Sequence, residues 1–422
     1  MMSLFGCGAD SATGPYVEPA RIEASDPDTV RTLDVVTATD STVTVHWTHD
    51  IQLSAFAVVD AEAWGASFSG ASLANVATVM VEGSPVANPD STGIDPNQVS
   101  GRGIWVDSGR LAQLPVHGTA WNSLLAAANE PCGAVDLSDQ DQSTNVCVMA
   151  KGLVYARTGE TAYRADVVTA ITEIVAAPPY DGRALALGRE LGAYVIAADL
   201  IGLVGYDPVL DGRFRDMLKA LRTRYTWGAS PSLVECHERR PNNWGAMCGS
   251  TRVAIAAYLG DTADLERAAR VLQGYLGDRS AYRGFEFGAD LSWQCDPARP
   301  VGVNPARCAR SGLSLDGVLP DDQRRGGPFV VSPPDENYVW EAMQGLLAQA
   351  VMLERAGYTA FAWGDRALLR AARWLHYVND FPPRGDDTWL TPLLNHYYGT
   401  SFPVVTPSRA GKNVGWTDWT HS

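Results

Sequence analysis

The stretch HERRPNNWGAMCGSTRVAIAAYLGD, His237 to Asp261, places a histidine, two arginines and two adjacent asparagines ahead of an apolar run, with cysteines at 236 and 248. Val253, Ile255, Ala256 and Leu259 give that run a helical period. Asn242 and Asn243 therefore fall at a helix N-terminal boundary, where unpaired backbone N–H groups and the helix dipole favour an anion. Arg239 and Arg240 add cationic forks beside them. The plain alternative is one asparagine acting as an N-cap and two arginines facing solvent. A second segment, PPDENYVWEAMQGLLAQAVML, sets Tyr338 in the first turn of a long helix opened by proline and acidic residues. Amides and guanidinium groups stabilise developing negative charge, by roughly 3–4 kcal/mol for each well-placed donor. A tyrosine or histidine can move a proton. Together these residue types suit abstraction of a weakly acidic proton beside a carboxylate.

The elements that must position them change character along the chain. Residues 30–95 contain LDVVTATDSTVTVHWTHD, SAFAVVDAEAWG and ANVATVMVEG, rich in Val and Thr with period-two alternation, which predicts a small β-rich segment at 30–100. The turn-forming stretch EGSPVANPDSTGIDPNQVSGRG marks a boundary near residue 100. Beyond it, segments such as AYRADVVTAITEIVAA, RALALGRELGAYVIAADLIGL and ADLERAARVLQGYLGD carry apolar residues at helical spacing, and several stop at Gly or Gly-Asp. The helices come in pairs of similar length without a strict short repeat. The expected fold of residues 101–422 is thus mainly α: an α/α toroid, an incomplete barrel of helical hairpins. Residues 278–334 interrupt the rhythm as a long Gly, Pro, Arg and Asp loop, a kind of insertion that is usually functional inside a compact domain.

The two motifs together resemble the alginate-lyase type of polysaccharide lyase, whose α/α toroid carries an Asn-Asn-His segment and a tyrosine at the start of a later helix that reads roughly Tyr-x-x-x-Ala-Leu-Gln-x-Leu. Here Tyr338, Ala342, Met343, Gln344 and Leu346 fall at matching steps. The resemblance covers most of residues 105–421, including NHYYGTSFP and GKNVGWTDWTH. It departs at one position: Trp244 stands where the family has its histidine, and His237 is the local candidate to replace it. The resemblance implies β-eliminative cleavage of a uronic-acid polysaccharide, alginate- or glucuronan-like. Tyr338 would act as acid and base, His237 as base or charge stabiliser, and Asn243 as neutraliser of the substrate carboxylate. Asn242, Arg239, Arg240, Arg189, Arg324, Trp244 and His396 are the candidate substrate-binding residues. Arg325, beside Arg324, and Trp416, Asp418 and His421 near the C-terminus are weaker candidates, with packing as the alternative for the last three.

Two rival readings use the same residues differently. A glycoside hydrolase on the same toroid would need paired carboxylates; Asp321, Asp322, Asp335 and Glu336 supply acids beside the loop, and Asp290 and Asp386 add others. A non-catalytic carbohydrate-binding protein would use the 13 Trp and 15 Tyr for stacking on sugar rings, although aromatic residues equally fill helical cores. A formal net charge of −15 argues against nucleic acid or an anionic membrane as partner. Neither a cofactor nor a metal is demanded: there is no CxxC or HExxH, and the seven histidines are dispersed. No apolar run is long enough for a transmembrane helix.

Apart from Cys7, the cysteines form close sequence pairs: Cys132 and Cys147, Cys236 and Cys248, Cys295 and Cys308. That pattern suits three loop-stapling disulfides in an exported protein, although six cysteines permit fifteen connectivities. Leu4-Phe5-Gly6-Cys7 matches the end of a lipoprotein signal but lacks the preceding basic and apolar regions. Residues 1–29 are accordingly expected to be a trimmed lipoprotein or secretion start, or a disordered tail. The expected location is secreted, periplasmic or on the cell surface.

Overall fold

The computed structural model describes residues 103–226, 232–407 and 409–422 in full, and the backbone of five short strands between residues 21 and 80. The chain divides into two compact units, 1–93 and 94–422. In the first, β1 (Arg21–Ala24) pairs antiparallel with β4 (Phe56–Val59). A three-stranded antiparallel sheet has the order β2 (Asp34–Ala38), β3 (Thr42–His46), β5 (Val76–Met80). The Val- and Thr-rich alternation therefore forms strands, and β1 falls inside the stretch read as an N-terminal tail. Cys7 lies outside the described residues.

The second unit is helical. Its longer helices are α1 (Thr119–Asn129), α2 (Thr144–Thr158), α3 (Thr161–Ala176), α4 (Ala184–Leu200), α5 (Pro208–Thr223), α6 (Leu233–Arg239), α7 (Asn243–Leu259), α8 (Thr262–Tyr275), α9 (Tyr338–Arg355), α10 (Trp363–Tyr377) and α11 (Leu390–Tyr398). An inner row runs α2–α4–α7–α9, each helix packed on the next, while α1, α3, α6, α8 and α10 pack against members of that row from outside. The sequence explains the division. Nearly every residue of α4, α7 and α9 is buried, as expected of helices that are apolar or small on all sides. By contrast α5 and α8 carry one apolar face and one charged face.

Two glycines set the spacing of the inner row. A Cβ on Gly188 would come within 2.8 Å of the Cys248 backbone nitrogen, and one on Gly345 within 2.3 Å of the Ala246 carbonyl carbon. α4 and α9 thus approach the same end of α7 at backbone contact. The C-terminal segment closes the ring. Trp416 donates its indole N–H to the Val146 carbonyl on α2, Asn145 of α2 donates to the Lys412 carbonyl, and Lys412 pairs with Glu341 on α9. The fold is an α/α toroid with the gap between its first and last inner helices filled by residues 411–421.

The cysteines pair with their sequence neighbours, Cys132–Cys147, Cys236–Cys248 and Cys295–Cys308. The second joins α6 to α7 just below the asparagines. Three disulfides suit an oxidising compartment. Among the described residues no helix is long and apolar enough to cross a membrane. The 278–334 insertion is a tied-down loop. It contains a short hairpin of β6 (Ala309–Arg310) and β7 (Leu313–Ser314), the Cys295–Cys308 bridge and a single helical turn at Pro320–Gln323 that returns the chain to the inner row.

Candidate active site

The site is built where α7 and α9 begin. Asn242 caps α7, its side-chain oxygen accepting from the Trp244 N–H at 3.2 Å while its amide donates to Asp321 at 2.9 Å. Asn243 is fully buried and makes three different bonds. Its backbone N–H donates to Asp322 (3.0 Å), its amide N–H donates to Glu341 (3.1 Å), and its side-chain oxygen accepts from Arg325 Nη1 (3.1 Å). The Arg325 guanidinium lies 3.3 Å from the centroid of the Tyr338 ring, in cation–π geometry. Segments some 80 and 95 residues apart along the chain thus meet: Asn243 on α7, Arg325 on the loop and Tyr338 on α9. Tyr338 is 37% exposed, so its ring borders solvent.

Beside it opens a pocket lined by Arg240, Asn242, Trp244, Arg324 and Arg325. In a chain of net charge −15 this lining contains three arginines and no acid. Arg324 is held by Asp321, with its Nε 2.8 Å from the carboxylate. Asp321 also accepts from the Gly288 N–H, which fixes the loop against the mouth of α7.

Beneath the pocket lies a buried layer organised by Glu341, one turn after Tyr338 on α9. Glu341 accepts from Arg189 Nη2 (2.5 Å), Lys412 Nζ (2.7 Å) and Asn243 Nδ2 (3.1 Å). Burial pushes its carboxyl up, but Arg189, Lys412 and Asn243 outweigh burial and hold it below the usual carboxylate range. Lys412 also approaches Asp386 at 3.7 Å. Gln344 donates to Asp386 (3.1 Å) and Asp387 (2.6 Å). Burial, reinforced by the neighbouring Asp386 charge, raises Asp387 to about 8. On the other side of Asn243, burial pushes the Asp322 carboxyl well above its ordinary value.

Several candidates from the sequence are placed elsewhere or given other partners. His237 is buried between α7 and α9, against Gly249 and Gln349. Gln349 is eleven residues beyond Tyr338, about 16 Å along the helix axis at ~1.5 Å per residue. Burial first, then the positive charge of Arg252, holds this imidazole well below its ordinary value. It is a core residue and does not line the pocket. Arg189 reaches the site, but its guanidinium is committed to Glu341 rather than to a substrate carboxylate. Asn243 likewise gives its amide N–H to Glu341. Arg239 forms a two-pronged pair with Glu286 on the exposed face of the loop and does not line the pocket. His396 packs edge-to-face with Tyr397 and His421, and His421 packs on Trp105, so these residues form the closing wall of the ring. Trp416 packs there too, against Trp389.

Asn242, Arg240, Arg324 and Trp244 do line the pocket. Three of the acids named for hydrolysis have other partners: Asp321 binds Asn242 and Arg324, Asp322 binds the Asn243 N–H, and Glu336 accepts the Tyr338 N–H. Most of the large aromatic residues are core, with Trp105, Trp293, Trp340 and Trp419 fully buried. Sequence reading missed Glu341 and Lys412. The available signal was a carboxylate three residues after Tyr338, on the same helical face, and a lone lysine in GKN among buried residues. Among the described residues no group of three or more His, Cys, Asp or Glu side chains is arranged to hold a metal.

No family model matches the chain, and no curated protein matches it. Among solved structures it is similar to alginate lyase A1-III from Sphingomonas species A1, at 13% identity and a TM-score of 0.47, over 76% of this chain and 95% of that one.

Proposed function

We propose that the chain is a polysaccharide lyase that cleaves a uronic-acid-containing polymer by β-elimination at the pocket beside Tyr338. The observation that carries this reading is the pocket itself: Arg240, Arg324, Arg325, Asn242 and Trp244 around an opening next to an exposed tyrosine at a helix start. Three guanidinium groups and an amide suit a sugar carboxylate, and the indole offers a face to a pyranose ring. A hydrolase would instead need two carboxylates facing the same opening.

In this reading the arginines neutralise the substrate carboxylate, so that the C5 proton beside it becomes removable. Tyr338, entering in its ionised form, takes that proton on its phenolic oxygen. The C5 electron pair forms the C4–C5 double bond as the C4–O4 bond breaks. O4 leaves with the proton that Tyr338 returns, which restores the ionised tyrosine. Arg325, stacked on the ring, meets the negative charge of that form and keeps the ring in place. Asn243 acts through Arg325: its side-chain oxygen anchors the guanidinium, and Glu341 fixes which way the amide faces. Glu341 with Arg189 and Lys412 forms the support of the site.

The test is product chemistry. After incubation with alginate, polyglucuronate and pectate, mass spectrometry of the fragments is expected to show unsaturated, unhydrated non-reducing ends from at least one polymer. Fragments that have all gained water would replace this reading with hydrolysis. Binding without fragments from any uronate or neutral glycan would replace it with a non-catalytic carbohydrate-binding role.

A further inference from the structure

The structure assigns a second saccharide site on the outer surface of the toroid, along α10, that holds an acidic oligosaccharide segment away from the pocket at Tyr338. After a left-handed turn at Gly364, Asp365 and Arg366, the helical part of α10 presents Arg373 and Tyr377 to solvent four residues apart, with the partly buried Arg370 one turn earlier and the exposed Arg366 in the turn itself. Arg307 faces them from the loop at 306–316, and all five line one open depression.

Their partners sort them. Arg370 is structural, bonded to Asp316, to the carbonyls of Asn304 and Gly364 through its terminal nitrogens, and to that of Asp365 through Nε. The Arg366 guanidinium stacks 5.1 Å from the Tyr398 ring. Arg307 and Arg373 are exposed, and their side chains have no partner among the described residues. Tyr377 is 68% exposed, with its ring steadied against Phe402 at 5.7 Å. Four arginines against Asp316 and Asp365 give the depression a net positive charge in a strongly acidic chain. Like charges crowd there at a cost that an anion would relieve.

The backbone supplies an independent observation. Six non-glycine residues among those described have left-handed φ, and three of them line this depression: Arg307 (63°), Asp365 (55°) and Arg366 (56°). L-residues adopt that conformation at an energetic cost, and such residues concentrate at ligand clamps. Here the left-handed turn at 364–366 starts the arginine face of α10, and the one at 307 turns its chain toward it. Free guanidinium groups on two walls of one depression that also holds an exposed, supported aromatic ring fit a carboxylated sugar chain: acid groups to Arg307 and Arg373, a ring face on Tyr377.

The choice of a uronate as ligand rests on the proposed lyase reading, and the test separates the two. Binding of an alginate-derived uronate hexasaccharide is measured by calorimetry on the full chain carrying Tyr338→Phe, with and without Arg307→Ala/Arg373→Ala. A Tyr377→Ala variant provides a single-residue check should the double variant fold poorly. The site predicts a binding event weakened about tenfold or more by either change, since two charge-assisted contacts or one stacking platform are removed. It also predicts that the double variant, made in the otherwise natural chain, turns over short oligosaccharides at the unaltered rate. If no polymer is ever cleaved but the binding is still lost with these residues, the lyase reading fails and the site stands. Binding that the substitutions leave unchanged, no binding at all, or equal displacement by inorganic sulfate at the same concentration would overturn it.

Discussion

The open pocket and the layer directly beneath it contain the same residue types, yet they are built for opposite ends. Above, Arg240, Arg324, Arg325, Asn242 and Trp244 surround an opening beside an exposed Tyr338. Below, the buried Arg189, Asn243 and Glu341 bond one another, joined by the partly exposed Lys412. A buried carboxylate with three donors is already in the state a substrate carboxylate would seek, so in the proposed lyase the lower layer positions and the upper layer binds. Burial, rather than chemical type, divides the two roles.

The largest way to break that division is Glu341→Gln. It takes the nearest anion from the buried Arg189 and the partly buried Lys412, leaving them only Asp141 and Asp386 at 3.7 Å, and breaking a buried pair costs roughly 3–5 kcal/mol. Denaturant unfolding is expected to show a large loss of stability, accompanied by loss of activity because Asn243 and Arg325 lose their anchor. Unchanged stability would mean that the lower layer is not a unit.

Arg325→Ala acts at the junction of the two layers. It removes one electrostatic donor and the support of the Tyr338 ring, and is expected to lower kcat/KM about a hundredfold, corresponding to ~2.7 kcal/mol. Stability should change far less than in the Glu341 variant. A loss confined to KM would make Arg325 a binding residue with no part in the transition state.

Asp387 gives the lower layer a pH signature. Its native carboxyl is raised to about 8, mainly by burial, whereas an unfolded aspartate titrates near ~4. The native state therefore holds a proton that the unfolded chain releases. This contribution is fully present below pH ~4 and is lost as pH rises through about 8. Asp387→Asn should be the more stable protein at the alkaline end, by on the order of 1–2 kcal/mol, with the difference growing from pH 4 to 8. A constant offset across that range would show that Asp387 does not titrate there. The smallest effect is expected of Arg239→Ala: its exposed pair with Glu286 is screened by solvent, and neither the unfolding midpoint nor the rate should move measurably.

What the sequence made legible followed helical periodicity. The inner helices, the N-cap at Asn242 and the place of Tyr338 at the start of α9 could be read from residues within a few turns of one another. The Cys236–Cys248 neighbours were also local. The supports of the site were harder to read because they depend on distant meetings. Lys412 reaches Glu341 from 71 residues away, and Arg189 from 152. His237 shows the converse error. It lies close to Asn243 in sequence, but α6 turns its side chain between α7 and α9, against Gly249 and Gln349 below the mouth of α7, where only burial could have revealed its place.

The most direct measurement is the initial rate of growth of the unsaturated-uronate absorbance with a uronate polymer, wild type beside Tyr338→Phe, at equal concentrations of folded protein. The account predicts a steady rate for wild type and a loss of about a thousandfold or more for the variant, whose melting temperature should stay close to that of wild type. A variant that produces the same absorbance at a comparable rate would contradict the placement of the proton-transferring group at Tyr338.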